Sequence, residues 1–300
     1  MHVGVTGASG LIGSALTARL TAGGHTTTAF VRHAPQTGEI GWNPATGELD
    51  PNQLTPLDAV VHLAGAGIGD HRWTDEYKRT LIDSRVEGTT LLSETIAHLG
   101  ADGPRVLLSG SAIGFYGDRG DEIVDEQSAA GDGFLAEICV AWEAATTAAA
   151  AAGVRVAHLR TGIVLSARGG ALGKMLPLFR FGAGGRFGSG KQWMSWISVT
   201  DHVCAVEHLL TADIEGPVNL TAPNPVRNRE FAATLARVLH RPALLPVPAF
   251  GPKLLLGAEL AEALLLDGQR VDAAVLRAAG NFTFDHPDLE SALRAVLDRT

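Results

Sequence analysis

The sequence is poor in cysteine, and its two cysteines form no recognisable pattern. Cys139 and Cys204 lie far apart among the 300 residues, without the spacing of a metal site or a disulfide framework. Both fall in helical patterns, where a cysteine behaves as a small apolar residue. We therefore predict two buried thiols and no bound metal ion.

Basic blocks and long apolar runs are also absent. The formal net charge is −8, which makes nucleic acid and anionic membranes poor partners. No uninterrupted apolar run reaches the roughly 18 residues of a membrane-spanning helix. A strand pattern begins at residue 2, and we therefore expect no signal peptide. We expect a cytoplasmic monomer or homodimer whose partner is a small-molecule substrate, with neither nucleic acid nor membrane bound.

Glycine and apolar residues, in contrast, are plentiful. Glycine accounts for 36 of the 300 residues, and 46% of the chain is hydrophobic, whereas the usual share of glycine is about 7%. A chain of this length and composition can bury a sizeable core. Apolar runs joined by many tight loops favour an α/β enzyme.

The first thirteen residues contain the strongest pattern in the chain. Residues 2–6 read as a short buried strand, a glycine turn follows, and a helical pattern continues from Ser14. Gly7 permits the tight turn, Gly10 lets a pyrophosphate approach the backbone, and Gly13 lets the helix pack on the strand. The helix N-terminus offers N–H groups to phosphate. The predicted pyrophosphate-binding residues are Gly7, Ser9, Gly10, Leu11, Ile12 and Gly13. The alternative is a glycine-rich turn without a ligand.

The end of the second predicted strand indicates which dinucleotide binds. Residues 26–31 form this strand, and Arg32 follows it, about 20 residues beyond the glycine turn. A site that prefers NAD(H) carries Asp or Glu here to hold the ribose 2′-hydroxyl, whereas a guanidinium suits a 2′-phosphate. Arg32 therefore favours NADP(H) over NAD(H). The alternative is a solvated arginine at the end of a strand.

The glycine spacing also resembles that of a known family. G-x-x-G-x-x-G is similar to the extended branch of the short-chain dehydrogenase/reductase superfamily, which holds the nucleotide-sugar epimerases and dehydratases. At the exit of the next predicted strand, Leu63, Ala64 and Gly65 would lie beside the cofactor, because the small residues let the backbone approach it. Residues 109–117 resemble the epimerase pattern S-S-x-x-x-Y-G with one extra residue. The resemblance makes Ser111 the catalytic serine, which hydrogen-bonds the reacting hydroxyl or carbonyl.

The next helix departs from the family pattern. The family places Y-x-x-x-K there, and in this chain Leu135 and Cys139 occupy the tyrosine and lysine positions. The lysine of that pair lowers the tyrosine pKa, so that the tyrosine can act as a general acid or base. Tyr116 is the nearest replacement, with Arg85 or Lys78 as a nearby cation. The alternative is that Tyr116 packs against the cofactor.

A longer set of motifs resembles a narrower group. F-L-A-x-x-C-x-x-W-E at residues 134–143, R-W-T at 72–74, S-R-V at 84–86 and W-M-S-W at 193–196 look like atypical epimerase family proteins with their own C-terminal helical domain. That resemblance runs from residue 1 to about residue 298. It implies further cofactor-binding residues, which are Arg85, Ser109, Gly110, Arg160 and Gly162. Arg85 replaces an asparagine and meets a phosphate or a substrate acid, or else forms a surface ion pair.

These patterns predict a doubly wound parallel Rossmann sheet with helices on both faces and a smaller C-terminal substrate lobe. Residues 1–165, completed by about 197–222, would form the NADP(H)-binding domain. Residues 166–196 and 223–300 would form the substrate lobe, including a glycine-rich loop at residues 182–192 that resembles the family's nucleotide-sugar cover. A mobile surface loop is the alternative for that segment.

Two functions fit the sequence. The first is an NADP(H)-dependent oxidoreductase or epimerase-like enzyme that acts on a sugar nucleotide or a small carbonyl or hydroxyl compound. The second is a catalytically silent NADP(H)-binding redox sensor or scaffold. The loss of the Tyr/Lys pair favours the second function, whereas Ser111 and the glycine-rich loop favour the first.

Overall fold

The structure is a computed structural model that describes residues 1–242, 246–248 and 250–298. Within these residues the strands are numbered β1 to β14 in chain order. Their bounds are His2–Thr6, Thr26–Val31, Glu39–Asn43, Glu48–Leu49, Ala59–His62, Val106–Ala112, Ile123–Val124, Arg155–Thr161, Ile163–Leu165, Trp193–Met194, Trp196–Ser198, Gly216–Leu220, Val226–Arg227 and Arg270–Val271.

The helices of the same residues are numbered α1 to α11. Their bounds are Leu11–Ala22, Asp75–Leu99, Phe134–Ala144, Thr147–Ala151, Gly170–Arg180, Val199–Thr211, Asn228–Leu239, Phe250–Leu256, Ala258–Ala261, Ala274–Ala278 and Leu289–Val296. The long helix α2 begins at Asp75 because Thr74 is its N-cap, and the Thr74 hydroxyl accepts the N–H of Tyr77 at 3.1 Å.

Eight strands form the central sheet in the order β12-β8-β6-β5-β1-β2-β3-β4. Neighbouring strands run parallel except for β3 and β4, which form an antiparallel hairpin. The chain starts at β1, moves outward through β2 and β3, and then returns to the other side of β1 at β5. This reversal opens a crevice at the carboxyl ends of β1 and β5, where such sheets bind ligands. The predicted Rossmann-like doubly wound sheet is confirmed.

Apolar side chains cover both faces of this sheet. On one face, Leu16 of α1 and Leu209 of α6 share a buried cluster with Val3 of β1. On the other face, Leu92 of α2 packs in a second cluster with Val60 of β5. Full burial of such a side chain contributes about 1.5–3 kcal/mol. The two layers therefore hold the ends of β1 and β5, and with them the crevice, in a fixed position.

A third buried cluster lies beside the sheet, where Leu176 of α5 packs with Trp196 of β11 and with α7 and α11. Leu276, from α10, belongs instead to the cluster under β1. The C-terminal part of the chain therefore packs both on the sheet and on its own core. The boundaries of the two predicted domains stay a prediction.

The C-terminal part reaches across the carboxyl edge of the sheet. Lys174 of α5 donates to the carbonyl of Gly69 at 3.0 Å, and Lys78 of α2 pairs with Glu259 of α9 at 2.6 Å. These contacts place α5 over the loop that follows β5, and α9 beside the first turns of α2.

One helical stretch, Phe134–Ala151, is long and apolar enough by length and composition to cross a membrane, and 33% of it is buried. It is the crossover connection between the parallel strands β6 and β8, which requires it to lie on the face of the sheet. It is divided into α3 and α4, and the N–H of Ala149 donates to the Ser93 hydroxyl at 2.9 Å. Its apolar character is that of a helix covering a sheet.

Candidate functional site

The glycine turn after β1 has the close packing that a phosphate-binding turn requires. Gly7 has a φ of 65°, a left-handed conformation that favours glycine. A Cβ on Gly13 would lie 2.1 Å from the carbonyl oxygen of Gly7, so the helix can approach the turn only without a side chain there. Helix α1 has no side-chain cap, which leaves its first N–H groups for a ligand. These features fit a dinucleotide pyrophosphate.

Thr6, the last residue of β1, connects this turn to the exit of β5. Its hydroxyl oxygen accepts the N–H groups of Leu63 at 3.0 Å and Ala64 at 3.1 Å. The hydroxyl also bonds His62 Nδ1 at 2.7 Å. Burial, together with the charge of Arg85, lowers the pKa of His62 to about 3, so this ring is neutral. Leu63 and Ala64 are therefore held at the crevice, next to the exposed Gly65.

Arg32 follows β2 at the neighbouring position along the edge. It is exposed, and it forms no hydrogen bond or ion pair with the part of the chain that the structure describes. The next residue, His33, is also exposed. The guanidinium is therefore free to meet an anion beside the glycine turn.

Arg85 is not the surface ion pair that the sequence left open. It is buried in the middle of α2, with Nη1 donating to the carbonyl of Leu81 and Nη2 to that of Ala66, each at 3.0 Å. Burial lowers the Arg85 pKa. Its guanidinium carbon lies 5.0 Å from the centre of the Trp142 ring.

Ser111 is hydrogen-bonded to an ion pair in the interior, formed by Glu143 and Arg160. Its hydroxyl donates to Glu143 Oε1 at 2.6 Å, and Arg160 donates to both carboxylate oxygens of Glu143, at 2.8 and 2.9 Å. Burial alone would raise the pKa of Glu143, but the bonds from Arg160 and Ser111 outweigh burial and lower it. Arg160 also covers the Phe115 ring at 3.4 Å. Arg160 uses three of its five N–H donors on Glu143 and Tyr116, so its hydrogen bonds serve the interior, and its binding of the cofactor stays a prediction.

The position of Tyr116 argues against the predicted general acid and favours a packing role. The side chain has no exposed surface. Its hydroxyl donates to Asn219 Oδ1 at 2.7 Å and accepts from Arg160 at 3.1 Å. Burial raises the Tyr116 pKa even though Arg160 and Asn219 oppose the effect. The hydroxyl is therefore neutral and sealed, and it links the short turn after β6 to β12.

Two of three other predicted positions are explained by packing. A Cβ on Gly110 would lie 2.6 Å from the Trp142 ring, and one on Gly162 would lie 2.5 Å from the carbonyl of Ser195. Both glycines therefore admit a neighbouring side chain or strand, and the cofactor is not needed to explain them. Ser109 is fully buried, and its hydroxyl has no partner among the described residues.

The thiol at the family's lysine position is chemically quiet. Cys139 is buried, and burial raises its pKa to about 11 although the charge of Arg85 opposes this in part. Its sulfur donates weakly to the carbonyl of Ala112 at 3.6 Å. The prediction of a buried thiol is confirmed for Cys139, whereas Cys204 is half-buried.

A cleft of about 350 Å³ lies beside Leu135, at the tyrosine position of the family motif. Its apolar walls include Trp73 and Phe134, and its acidic side chains are Asp118, Asp132, Glu259, Glu262 and Asp267. Burial, with Asp118 and Glu262 nearby, raises the pKa of Asp267 to about 6. This carboxyl group can therefore hold a proton close to neutral pH.

A second cleft, of about 570 Å³, shares Asp118 with the first and carries positive charge. Its cations are Lys191, Arg227 and Arg229. Arg227 pairs with Asp121 and stacks on Trp193 at 4.0 Å, whereas Arg229 is exposed and has no ion pair among the described residues. The glycine-rich loop supplies Lys191 to this cleft. Its other cation, Arg186, donates instead to two carbonyls of the loop itself.

Sequence reasoning missed the roles of Glu143, Asn219 and Asp267. Glu143 had a signal, because it is an acid near the end of an apolar helix, and Arg160 is a cation in an apolar strand. Asn219 and Tyr116 are 103 positions apart, and nothing local indicates that they meet.

Two family models match the chain. The NAD dependent epimerase/dehydratase family matches residues 3–220, and a domain of unknown function, DUF1731, matches residues 247–296. An epimerase family protein of Mycobacterium bovis is 46% identical over 293 residues, covering 97% of this chain and 96% of that protein. Epimerase family protein SDR39U1 of Homo sapiens is 35% identical over 301 residues, covering 99% of this chain and 100% of that protein.

Solved structures agree with these matches. The crystal structure of human SDR39U1 with NADPH has a TM-score of 0.89 at 33% identity and covers 100% of both chains. A nucleoside-diphosphate sugar epimerase from Corynebacterium glutamicum has a TM-score of 0.79 at 38% identity, covering 99% of this chain and 58% of that one. With its glycine turn, its sheet order and its C-terminal segment all matched, this chain belongs to the NAD dependent epimerase/dehydratase family.

Proposed function

We propose that the protein binds NADP(H) and acts as an oxidoreductase or epimerase-like enzyme on a substrate that carries a hydroxyl or carbonyl group. The observation that carries the cofactor assignment is the close-packed glycine turn with the exposed, unpaired Arg32 on the adjacent strand. The NADPH in the human SDR39U1 structure supports the same assignment. When bound, the cofactor supplies or accepts hydride.

The residues of the acidic cleft suit the proton transfer that must accompany hydride transfer. Leu135 and Phe134 exclude water on one wall, and Asp267 lines the same cleft. A group with a pKa of about 6 is well matched to proton exchange near neutral pH. We assign Asp267 as the proton donor, and Ser111 as a hydrogen-bonding group whose hydroxyl is oriented by Glu143.

The two adjoining clefts indicate the shape of the substrate. The acidic cleft repels a phosphate, whereas Lys191 and Arg229 in the neighbouring cleft attract one. A sugar nucleotide could place its sugar in the first cleft and its diphosphate in the second. A small carbonyl compound would occupy the first cleft alone.

One screen distinguishes these substrate classes. Oxidation of NADPH and reduction of NADP⁺ are followed at 340 nm with sugar nucleotides, their free sugars and small carbonyl compounds. Each mixture is also analysed for isomerised substrate by NMR, because an epimerase returns its hydride and leaves no net absorbance change. We expect turnover with a sugar nucleotide that falls at least about tenfold in Arg229→Gln, since a charge-assisted contact contributes about 1.5–3 kcal/mol. Turnover of a free carbonyl compound that is insensitive to Arg229→Gln would assign the small substrate.

A silent cofactor-binding module is the second candidate. It is favoured by the sealed Tyr116 hydroxyl and the inert Cys139 thiol, which leave no Tyr/Lys pair beside Leu135 in the described residues. Tight NADPH binding without turnover in the whole screen, and an Asp267→Asn variant that binds identically, would support this function.

A further inference from the structure

Arg85 is a buried cation without a carboxylate. It is 7% exposed, and no ion pair among the described residues includes it. Two of its N–H groups donate to the carbonyls of Leu81 and Ala66. Because a guanidinium has five N–H donors, about three remain for another acceptor. Burying a charge without an opposite charge is costly, so a stable protein that keeps Arg85 here indicates a ligand for it.

The guanidinium lies against the floor of the crevice. A Cβ on Gly65 would be 3.3 Å from the guanidinium carbon of Arg85 and 3.4 Å from its Nη1. Gly65 is itself exposed at the exit of β5. Because Gly65 has no side chain, only its backbone lies beside Arg85 at this point of the surface.

The strand order indicates which half of a bound dinucleotide would lie near Arg85. Along the carboxyl edge, the sequence of strands is β2, β1 and β5. Arg32 follows β2, the glycine turn follows β1, and Gly65 follows β5. A dinucleotide with its pyrophosphate on the turn and its adenosine ribose beside β2 extends its other half toward β5. That other half carries the nicotinamide.

The neighbouring helix α3 supplies no positive charge to this region. Cys139 stands on it where the family pattern has lysine, and its thiol and Arg85 shift each other's pKa. Trp142, one turn further, lies under the Arg85 guanidinium at 5.0 Å. The carboxylate of Glu143 on the same helix is already paired with Arg160. Within the described residues, Arg85 from α2 is therefore a cation without an ion pair at this wall.

We propose that Arg85 binds oxygen atoms of the nicotinamide half of NADP(H), and so supplies from α2 the positive charge that α3 lacks. This inference rests on the proposed function, since it requires NADP(H) in the crevice. Arg85 is then a cofactor-positioning residue, and the loss of the lysine does not leave the nicotinamide end without a cation.

The test compares two ligands by isothermal titration calorimetry. NADPH has both halves, whereas 2′,5′-ADP has the adenosine 2′-phosphate and lacks the nicotinamide half. Arg85→Met replaces the cation with an apolar side chain of similar length, and Arg85→Lys keeps the charge. Arg79→Gln is the matched control, because Arg79 is exposed on the same helix. Thermal unfolding without ligand checks each fold, and we expect Arg85→Met to melt within about 4 °C of the wild type.

We expect Arg85→Met to bind NADPH about tenfold to a hundredfold more weakly, with unchanged affinity for 2′,5′-ADP, and Arg85→Lys to lose less. Equal weakening toward both ligands would mean that Arg85 only holds the crevice together, and would overturn the inference. Unchanged NADPH affinity in Arg85→Met and Arg85→Lys would overturn it as well. If the wild type bound neither ligand, the proposed function itself would fail, and the inference with it.

Discussion

The two ends of the crevice differ in how much of the family pattern they keep. At the β1–β2 end, Gly7 and Gly13 pack as a phosphate turn must, and Arg32 is free beside them. At the β6–α3 end, Leu135 and Cys139 replace the acid–base pair. The comparison teaches that cofactor binding and proton transfer are carried by separate parts of the fold, so that one can be kept while the other is rebuilt.

The largest effect is expected at the β6–α3 end, from Glu143→Ala. The change leaves the buried Arg160 without its carboxylate, which costs about 3–5 kcal/mol for a buried ion pair. Urea or thermal unfolding measures the loss. Glu137→Ala on the exposed side of α3 is the control and should be near neutral. A loss below about 1 kcal/mol for Glu143→Ala would show that the pair does not hold this end together.

The same pair gives a pH dependence. Because the folded-state pKa of Glu143 is lowered, its contribution to stability is fully present above the ordinary carboxyl pKa of about 4.3. That contribution is lost as the pH falls through the lower, folded-state pKa. The difference in unfolding free energy between wild type and Glu143→Ala should therefore shrink on acidification below about pH 4. A difference that stays constant down to pH 2 would contradict this account.

A smaller loss of stability is expected at the β1–β2 end, from Gly13→Ala. The added Cβ would lie 2.1 Å from the Gly7 carbonyl oxygen, and such overpacking costs about 1–3 kcal/mol. NADPH affinity should fall together with stability, because the turn must move. Gly251→Ala, where a Cβ meets nothing within 4 Å, is the control. Unchanged NADPH binding in Gly13→Ala would show that the turn does not bind the cofactor.

Tyr116→Phe should lower the unfolding free energy by about 1–2 kcal/mol without affecting the cofactor site. Its hydroxyl satisfies Asn219 and Arg160 in the interior, and leaving a buried polar group unpaired costs about 1–3 kcal/mol. Because Tyr116 is sealed from the crevice, NADPH affinity and any turnover should stay within about twofold of the wild type. A variant of normal stability that had lost its turnover would show that Tyr116 takes part in catalysis.

The smallest effect is expected from thiol labelling at Cys139. With a pKa of about 11, almost none of this thiol is thiolate at neutral pH, and the thiolate is the reactive form. Iodoacetamide should label the half-buried Cys204 first in the native protein, as followed by peptide mass spectrometry. Rapid labelling of Cys139 would identify an activated thiol at the lysine position.

Prediction from sequence succeeded where a function depends on neighbouring residues. The strand, the glycine turn and the helix of residues 2–22 are contiguous, so their pattern fixed the local structure and the place of the crevice. It did not anticipate the partners of Tyr116 and Arg160, which come from other strands and helices. A side chain that is aimed at a ligand and one that is aimed at the core look alike in sequence, because burial is decided by tertiary packing.

The most direct test of the account is a calorimetric comparison of NADPH and NADH on the wild type and Arg32→Ala. If the β1–β2 end is an intact NADP(H) site, the wild type should bind NADPH at least about tenfold more tightly than NADH, since the 2′-phosphate contact contributes about 1.5–3 kcal/mol. Arg32→Ala should remove that preference and leave NADH binding almost unchanged. Equal affinity of the wild type for the two cofactors, or equal weakening of both by Arg32→Ala, would contradict the account.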